Sequence, residues 1–271
     1  MRAPENPFKR GLQARDRLIG LWVSSADPFM TEVVAGAGFD WLLLDTEHSH
    51  ASARDVLGQL QAASAYPTSA VVRPASNDPV VIKQLLDLGA QSLLIPQVDD
   101  AAQARAAVAA VHYPPQGIRG VSATTRATRF GRVSGYAGSA SSEICLTVQV
   151  ESAHALEELD EILDVDGVDG VFVGPGDLAA SLGHVGDPRH PDVAAVVEDA
   201  LRRIGAAGRP AGVLTSDRAD AGRWLDLGAV FVAVGVDTAL LARAADSLAA
   251  AFDRPAPAPS STAKVVHHDV R

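Results

Sequence analysis

Short apolar runs alternate with longer amphipathic segments along most of the chain. A run of consecutive apolar residues indicates a strand that is buried on both faces of a parallel sheet. The predicted strands are residues 19–23, 41–45, 69–72, 92–95, 144–150, 170–173, 211–214 and 230–234. Each is followed by a helical segment, and this alternation predicts parallel strands joined by right-handed crossovers. Eight such units favour a single (β/α)8 TIM barrel over an open doubly wound sheet.

The pattern divides the chain into one barrel domain, residues 1–252, and a C-terminal segment, residues 253–271. The C-terminal segment is rich in Pro, Ala and Ser, which predicts a flexible tail. Its two histidines, His267 and His268, are more typical of a tail than of a metal site. Residues 112–142 interrupt the alternation with Gly, Ser, Thr and Arg, and an irregular insertion of this length is usually functional or disordered.

Charge and composition exclude several classes of partner. The formal net charge is −10 and the pI is about 5.2, which argues against nucleic acid and anionic membranes as partners. Cys145 is the single cysteine, so an intrachain disulfide is impossible and a cytoplasmic location is expected. The N-terminus has no apolar signal-peptide region, and no apolar run approaches the ~20 residues of a membrane span.

Polar residues cluster where the predicted strands end. In a βα barrel the C-terminal strand ends carry the catalytic residues. The strand-end residues are Asp45, Glu47, His48, Arg73, Gln97, Gln149, Glu151 and Asp177. Helix capping explains any one of them, and Asp45 with Glu47 could simply begin the next helix. Capping explains the whole set poorly, so the sequence predicts an active site at this end of the barrel.

Two of these acids suggest a metal site. Glu151 and Asp177 follow adjacent strands, so their carboxylates can converge. Oxygen ligands without Cys or His partners suit Mg²⁺ or Mn²⁺. The alternative for Asp177 is a turn and helix cap, because it ends a Gly-Pro-Gly-Asp segment. The alternative to an enzyme is a non-catalytic barrel, either a degenerate paralogue or a binding protein. It is disfavoured because Glu151, Asp177 and Arg73 are all present.

Arg73 and His48 are candidates for the chemistry itself. Arginine keeps its charge and presents a planar fork of donors, so Arg73 could stabilise an enolate or ketone oxygen or serve as a structural ion-pair partner. Histidine titrates near neutral pH, so His48 is a candidate for proton transfer. The three lysines, Lys9, Lys83 and Lys264, lie away from the strand ends, which excludes a Schiff-base aldolase.

Several segments in order along the chain carry a resemblance to the HpcH/HpaI family of class II, metal-dependent pyruvate aldolases, over about residues 10–252. The segments are 38–45, 47–48, 71–74, 77–79, 82–87, 113–115, 117–121, 164–165, 167–172, 174–175, 177–178 and 231–237. The resemblance implies that His48 is the proton acceptor, Arg73 the transition-state stabiliser, and Asp87 an acid that raises the basicity of the histidine. It implies that Glu151 and Asp177 bind a divalent metal (Mg²⁺, Mn²⁺ or Co²⁺), and that Arg73, Gln149, Gly176 and Asp177 contact substrate. Asp45 and Glu47 are expected to support these residues.

The same resemblance implies an activity and an assembly. The expected reaction is reversible retro-aldol cleavage of 4-hydroxy-2-oxo acids, such as 4-hydroxy-2-oxoheptanedioate from aromatic catabolism, to pyruvate and an aldehyde. The expected assembly is a hexamer, a trimer of dimers, in which the last helix packs on a neighbouring subunit. Departures from the family pattern at Thr46, Ser49–His50 and Gly176 border the pocket and leave the substrate range open.

Two other lyases on the same barrel remain alternatives. One is a 2-keto-3-deoxy sugar-acid aldolase, which would differ in the aldehyde it releases. The other is a citramalyl-CoA or malyl-CoA type lyase, which needs basic residues for the CoA phosphates. The candidates are four arginines of the insertion, which otherwise have a solvated or intersubunit role: Arg119, Arg126, Arg129 and Arg132.

Overall fold

Eight parallel strands close into a barrel in the computed structural model, which describes residues 3–252. The strands are β1 (Leu18–Val23), β2 (Trp41–Asp45), β3 (Ser69–Arg73), β4 (Ser92–Ile95), β5 (Cys145–Val150), β6 (Gly170–Val173), β7 (Ala211–Leu214) and β8 (Phe231–Val236). Each strand pairs with the next along the chain, and β8 pairs with β1. The predicted TIM barrel is confirmed, and each predicted strand is found with its ends shifted by no more than about two residues.

Helices follow the strands in the expected order. They are α1 (Pro7–Ala14), α2 (Pro28–Ala35), α3 (Ala53–Ala63), α4 (Pro79–Asp87), α5 (Ala101–Val111), α6 (Tyr136–Glu143), α7 (Ala153–Glu157), α8 (Leu159–Leu163), α9 (Pro175–Ser181), α10 (Pro191–Ala206), α11 (Arg218–Asp226) and α12 (Asp237–Ala250). Aspartates cap the starts of several of them, as at Asp27, Asp78 and Asp217. Helix α6 was not predicted, because Gly135 at its N-cap position supplies no side-chain hydrogen bond that would mark its start.

The described residues fall into two compact units, one up to Asp237 and one from Thr238 onward. The first unit contains the barrel with α1 to α11, and the second contains most of α12. Between residues 3 and 252, none of the helices combines the length and apolar character that crossing a membrane requires. The predicted tail and its histidines, His267 and His268, lie outside the described residues.

Side chains alternate between two hydrophobic cores along each strand. In β2, Leu42 and Leu44 belong to the layer between strands and helices, whereas Trp41 and Leu43 fill the barrel interior. This alternation follows from the two-residue period of a strand. Asp45, two residues beyond Leu43, must therefore also point into the barrel.

Helix α1 covers the N-terminal end of the barrel. The Phe8 ring lies 5.6 Å from the Trp41 ring and 5.8 Å from the Phe231 ring, and these two residues begin β2 and β8. The Asn6 amide donates to the Gln91 carbonyl and to the Ser92 hydroxyl at the start of β4. The interior of the barrel is thus covered at one end by α1, and the buried charged residues Asp45, Arg73 and Glu151 lie at the other.

Candidate active site

The innermost polar layer of the barrel is produced by strand alternation. Inward positions at the carboxyl ends of β2, β3 and β5 are occupied by Asp45, Arg73, Gln149 and, just past β5, Glu151, and all four are buried. The register of β2 and β3 places Asp45 directly beside Arg73. Two neighbouring inward side chains of opposite charge must pair, because either one alone would be costly to bury.

Arg73 is held by two carboxylates. Its Nε donates to Asp45 Oδ1 at 2.9 Å and its Nη2 to Asp45 Oδ2 at 2.7 Å, a bidentate arrangement. Its Nη1 lies 2.7 Å from Glu47 Oε2. The guanidinium carbon lies 4.8 Å from the centre of the Trp22 ring, so the ring faces the cation from another side. The guanidinium therefore has a fixed orientation before any substrate binds.

Asp45 joins the arginine to the loop that carries the histidine. Besides Arg73, it accepts hydrogen bonds from Trp22 Nε1 at 3.2 Å and from the backbone N–H groups of Glu47 at 3.0 Å and His48 at 3.4 Å. Burial alone would raise the pKa of Asp45, but hydrogen bonds and charge attraction from Arg73 outweigh it and lower the pKa. Asp45 is thus a charged acceptor that organises the site.

Glu47 and His48 are adjacent and differ in exposure. The Glu47 side chain is 8% exposed and the His48 side chain 60% exposed, so the histidine reaches solvent at the barrel mouth. His48 Nε2 lies 3.8 Å from Glu47 Oε2. Burial raises the pKa of Glu47, with repulsion from Asp45 and Asp177 adding to it and Arg73 opposing it. The imidazole is therefore accessible to substrate and has a carboxylate beside it.

Glu151 has the environment of a metal ligand. Its Oε1 accepts a hydrogen bond from the Gln97 backbone N–H at 2.9 Å, and its Oε2 accepts one from Gln149 Nε2. Burial raises the pKa of Glu151 to about 7, and repulsion from Asp177 and Glu47 contributes to the increase. A divalent cation held by these carboxylates would relieve this repulsion. Gln149 Oε1 is buried and has no hydrogen-bond partner among the described residues, so it is a further unused oxygen beside the carboxylates.

Asp177 reaches the same place from α9. It lies in the first turn of this helix, after the Gly174–Pro175–Gly176 segment that follows β6, and it is exposed. The donor set of Glu151, Asp177 and neighbouring amide oxygens consists of hard oxygen ligands, which fits Mg²⁺ or Mn²⁺. The residues that the sequence predicted as a metal site therefore fit such an ion.

A cavity of about 250 Å³ lies over these residues. Its lining residues are Trp22, Ser24, Asp45, His48, Arg73, Gln149, Phe172, Gly174, Pro175, Gly176, Asp177, Leu214 and Val236. A larger cavity of about 320 Å³ lies at the strand starts near Ser69 and Ser92, and it is lined by no residue of the predicted site. The smaller cavity is the candidate substrate site because polar side chains at the strand ends line it.

Within one chain, Asp87 does not lie with the residues that line the smaller cavity. It is the last residue of α4, which begins after β3 and ends before β4, and therefore lies towards the opposite end of the barrel from His48. Its Oδ1 accepts a hydrogen bond from Arg119 Nη2 at 3.2 Å. The role that the resemblance gives to Asp87 stays a prediction, and it would require more than one copy of the chain.

The arginines of the insertion are largely engaged elsewhere. The Arg119 side chain is fully buried, with its guanidinium 4.6 Å from the centre of the Tyr113 ring. Arg126 donates to the Leu88 carbonyl at 2.8 Å, and Arg126 and Arg129 line the larger cavity at the strand starts. These positions do not favour the binding of CoA phosphates at the barrel mouth.

Two contributors to the site were missed by sequence reasoning. Trp22 was read only as part of a buried strand, although its ring N–H and face hold Asp45 and Arg73. Gly174 was read as a turn residue, but a Cβ at this position would lie 2.5 Å from Glu151 Oε2 and 2.7 Å from Gln149 Nε2. The sequence feature that could have identified Gly174 as a site residue is its position directly after an apolar strand.

Comparisons with known proteins identify the family of the chain. The sequence model of the family HpcH/HpaI aldolase/citrate lyase matches residues 18–244. A hydroxypyruvate/pyruvate aldolase of Pseudomonas aeruginosa is 53% identical over 98% of this chain and 99% of its own length. A 4-hydroxy-2-oxo-heptane-1,7-dioate aldolase of Salmonella dublin is 55% identical over 92% of this chain and 95% of its own.

Solved structures agree as well. A HpcH/HpaI aldolase/citrate lyase family protein from Burkholderia cenocepacia superposes with a TM-score of 0.89 and is 37% identical, covering 92% of this chain and 99% of that one. The match therefore extends over nearly the whole barrel and includes every strand that carries a site residue. By sequence and by fold, the chain belongs to the HpcH/HpaI aldolase/citrate lyase family.

Proposed function

We propose that the chain is a class II pyruvate aldolase that reversibly cleaves 4-hydroxy-2-oxo acids to a 2-oxo acid and an aldehyde. The observation that carries this proposal is one cavity lined by Arg73, His48 and Asp177, with the buried carboxylate of Glu151 bound to the lining residue Gln149. The aldolase names of relatives that are more than half identical over most of the chain support it. The chain is accordingly a carbon–carbon lyase.

A divalent metal would be held by Glu151 and Asp177. When Mg²⁺, Mn²⁺ or Co²⁺ is bound there, the chemistry that it supplies is Lewis-acid polarisation of the 2-oxo acid. Gln149 lies beside Glu151, and its buried side-chain oxygen accepts no hydrogen bond from the part of the chain that the structure describes, which suits a contact with substrate. The backbone at Gly176, which lines the cavity, is a second substrate contact.

Arg73 stabilises the negative charge that develops on the substrate. Cleavage converts the 2-oxo group into an enolate, and a fixed guanidinium beside the enolate oxygen lowers the energy of the transition state. Because Asp45 and Glu47 already orient Arg73, little reorganisation is needed at the moment of reaction. The burial of Arg73 strengthens this interaction, since charges attract more strongly where water is excluded.

His48 acts on the 4-hydroxyl group. It removes the hydroxyl proton while the C3–C4 bond breaks, and the electron pair of that bond passes into the enolate of the 2-oxo acid. The C4 carbon leaves as the aldehyde. Protonation of the enolate at C3 then gives pyruvate. In the reverse direction the same groups form the enolate and return a proton to the new hydroxyl group.

The departures from the family pattern suggest where substrate range is decided. The Thr46 hydroxyl donates to the Arg73 carbonyl at 2.7 Å, and the Ser49 hydroxyl donates to the Asp45 carbonyl, so both are used by the backbone. Gly176 lines the cavity, and no atom of the described residues lies within 4 Å of a Cβ placed there. The extra space at Gly176 favours acceptance of differently substituted 2-oxo acids or aldehydes, including the hydroxypyruvate and pyruvate in the names of relatives.

The two alternative lyases differ in support. A 2-keto-3-deoxy sugar-acid aldolase would use the same residues, and only the aldehyde would change. A CoA-ester lyase is less favoured, because Arg119 pairs with Asp87 and Arg126 donates to the Leu88 carbonyl. Both interactions lie away from the barrel mouth.

The proposal is tested by measuring pyruvate release from 4-hydroxy-2-oxoheptanedioate, coupled to lactate dehydrogenase. We expect chelator to abolish release and added Mg²⁺, Mn²⁺ or Co²⁺ to restore it. Glu151→Ala should abolish metal-dependent turnover while the chain stays folded. Glu157→Ala, which removes an exposed carboxylate of α7, is the matched control and should retain activity. Unchanged turnover in Glu151→Ala would contradict the assigned metal site.

A homo-oligomer and a cytoplasmic location complete the proposal. Phe29 and Val33 of α2 are exposed apolar side chains, as expected of a surface that another subunit covers. The hexameric state is measurable by analytical ultracentrifugation of the full chain, and the packing of the last helix on a neighbouring subunit by a crystal structure of the oligomer.

A further inference from the structure

A second group of potential ligands lies in the segment between α9 and α10. His184 Nε2 is 3.6 Å from Asp192 Oδ2, and His190 Nδ1 is 3.7 Å from the same oxygen. One ligand atom from each of the three residues lies within 4.8 Å of the other two. These residues are separate from the carboxylates of the barrel mouth, and neither the aldolase chemistry nor the barrel fold requires them.

The backbone of this segment holds the two imidazoles in place. The His184 N–H donates to the Ala179 carbonyl at 2.7 Å, and the Asp187 N–H donates to the His184 carbonyl at 3.0 Å. The His190 N–H donates to the Asp187 carbonyl at 3.1 Å. The two rings are stacked, with centroids 3.6 Å apart and planes at 14°. The histidines are therefore presented together by a hydrogen-bonded loop.

We propose that His184, His190 and Asp192 form a binding site for a transition-metal ion such as Zn²⁺. Two ligands that each lie roughly 2.0–2.1 Å from a tetrahedral zinc ion are about 3.3 Å apart. The two histidine–aspartate separations, 3.6 and 3.7 Å, are close to this value. Because an imidazole binds a metal in the plane of its ring, the two rings must first turn out of their parallel stack by rotation about their side-chain bonds. Both nitrogens and the Asp192 carboxylate can then surround one ion, with water as a fourth ligand.

The ligand types select a different metal from that of the active site. Imidazole nitrogen favours Zn²⁺, Cu²⁺ and Ni²⁺, whereas carboxylates and amide oxygens favour Mg²⁺ and Mn²⁺. The side chains of His184 and His190 are 28% and 33% exposed, so an ion can reach them from solvent. Arg189 does not compete with the ion for Asp192, because it pairs with Asp217 at 3.1 Å and Asp220 at 3.3 Å.

The alternative role of these residues is purely structural. His190 is the N-cap residue of α10, and its Nδ1 accepts a long hydrogen bond of 3.3 Å from the Asp192 N–H. A bound ion would coordinate the Nδ1 lone pair of His190 in place of the Asp192 N–H. His190→Asn separates the two roles, since asparagine is a good N-cap residue but supplies no imidazole.

The test is a calorimetric titration of Zn²⁺ into the metal-free, full-length chain. The background carries Glu151→Gln, to weaken the active-site metal site, and His267→Asn with His268→Asn, to remove the C-terminal imidazoles. We expect one Zn²⁺ ion per chain in this background. Affinity should fall about 10²-fold or more in His184→Asn and in His190→Asn, whereas His154→Asn, at an exposed histidine of α7, should leave it unchanged.

Two further measurements keep the test decisive. Zn²⁺ should raise the thermal unfolding temperature of the background protein but not of the His184→Asn variant, because only an ion bound to the folded state stabilises it. X-ray absorption at the zinc edge should show two imidazole ligands. Equal Zn²⁺ affinity in the background and in a folded His184→Asn variant would overturn the proposal, as would the absence of binding at micromolar Zn²⁺.

Discussion

Replacing Gly174 with alanine should displace the Glu151 side chain while leaving its carboxylate group unchanged. A Cβ at Gly174 would lie 2.5 Å from Glu151 Oε2 and 2.9 Å from Glu151 Cβ, whereas ordinary contact begins at 3.4 Å. Glu151 Cβ would have to move by about 0.5 Å and Oε2 by about 0.9 Å. A carboxylate terminus can rotate away, but Cβ is fixed to the backbone, so the whole side chain must shift.

The expected cost is large for activity and moderate for stability. A displacement of about 1 Å in a catalytic group can reduce the rate about 10²-fold, which is about 2.7 kcal/mol of transition-state energy. Overpacking a buried position typically costs about 1–3 kcal/mol of unfolding free energy. We therefore expect Gly174→Ala to reduce kcat/KM for pyruvate release about 10²-fold while the protein stays folded.

Gly222→Ala is the matched control for this substitution. Gly222 lies on the exposed side of α11, and a Cβ placed there would have no neighbour within 4 Å among residues 3–252. The control should keep full activity and gain up to about 1 kcal/mol of stability, because alanine favours a helix. A kcat/KM of Gly174→Ala within threefold of that of the unmodified chain would refute the reasoning.

Two further predictions concern charge in the site. Arg73→Lys should lower kcat about 10²–10³-fold in the coupled pyruvate assay. The reason is that an ammonium group cannot pair with both Asp45 and Glu47 and still face substrate. A loss below tenfold would contradict this. Burial raises the pKa of Glu151 from 4.5 to about 7, so the folded, metal-free chain binds this proton more tightly than the unfolded chain. Its unfolding free energy should therefore fall by about 3 kcal/mol as pH rises from about 4.5 past 7, as measured by urea unfolding in chelator, and Glu151→Gln should lack this decrease.

The barrel could be predicted from sequence because its strands are buried on both faces and read as apolar runs. The runs at 41–45 and 170–173 coincide with β2 and β6. Helix α6 could not be predicted, since its Ala, Ser and Gly residues show little apolar periodicity and Gly135 provides no side-chain cap. The sequence of a helix or strand therefore predicts that element only where burial gives it an apolar pattern or where a capping residue marks its end.

Part of the candidate site could also be predicted, because some of its residues directly follow apolar strands. Arg73 and Glu151 were recognisable because charged residues directly after apolar strands are rare unless they point into the barrel mouth. The contribution of Trp22 depends on two strands lying side by side, which no single stretch of sequence records. The position of Asp87 against Arg119 likewise follows only from how the insertion folds back on α4.

The shared role of Asp45 has a consequence for how this enzyme can change over evolution. Its carboxylate simultaneously orients Arg73 and accepts the N–H groups of Glu47 and His48, so mutations in this half of the site should be strongly epistatic. Gly176 and Asp177 come from a separate helix and are exposed. We therefore expect new substrate preferences to arise at Gly176, on the α9 side of the pocket, whereas a substitution on the β2–β3 side must be compensated by others in the same group.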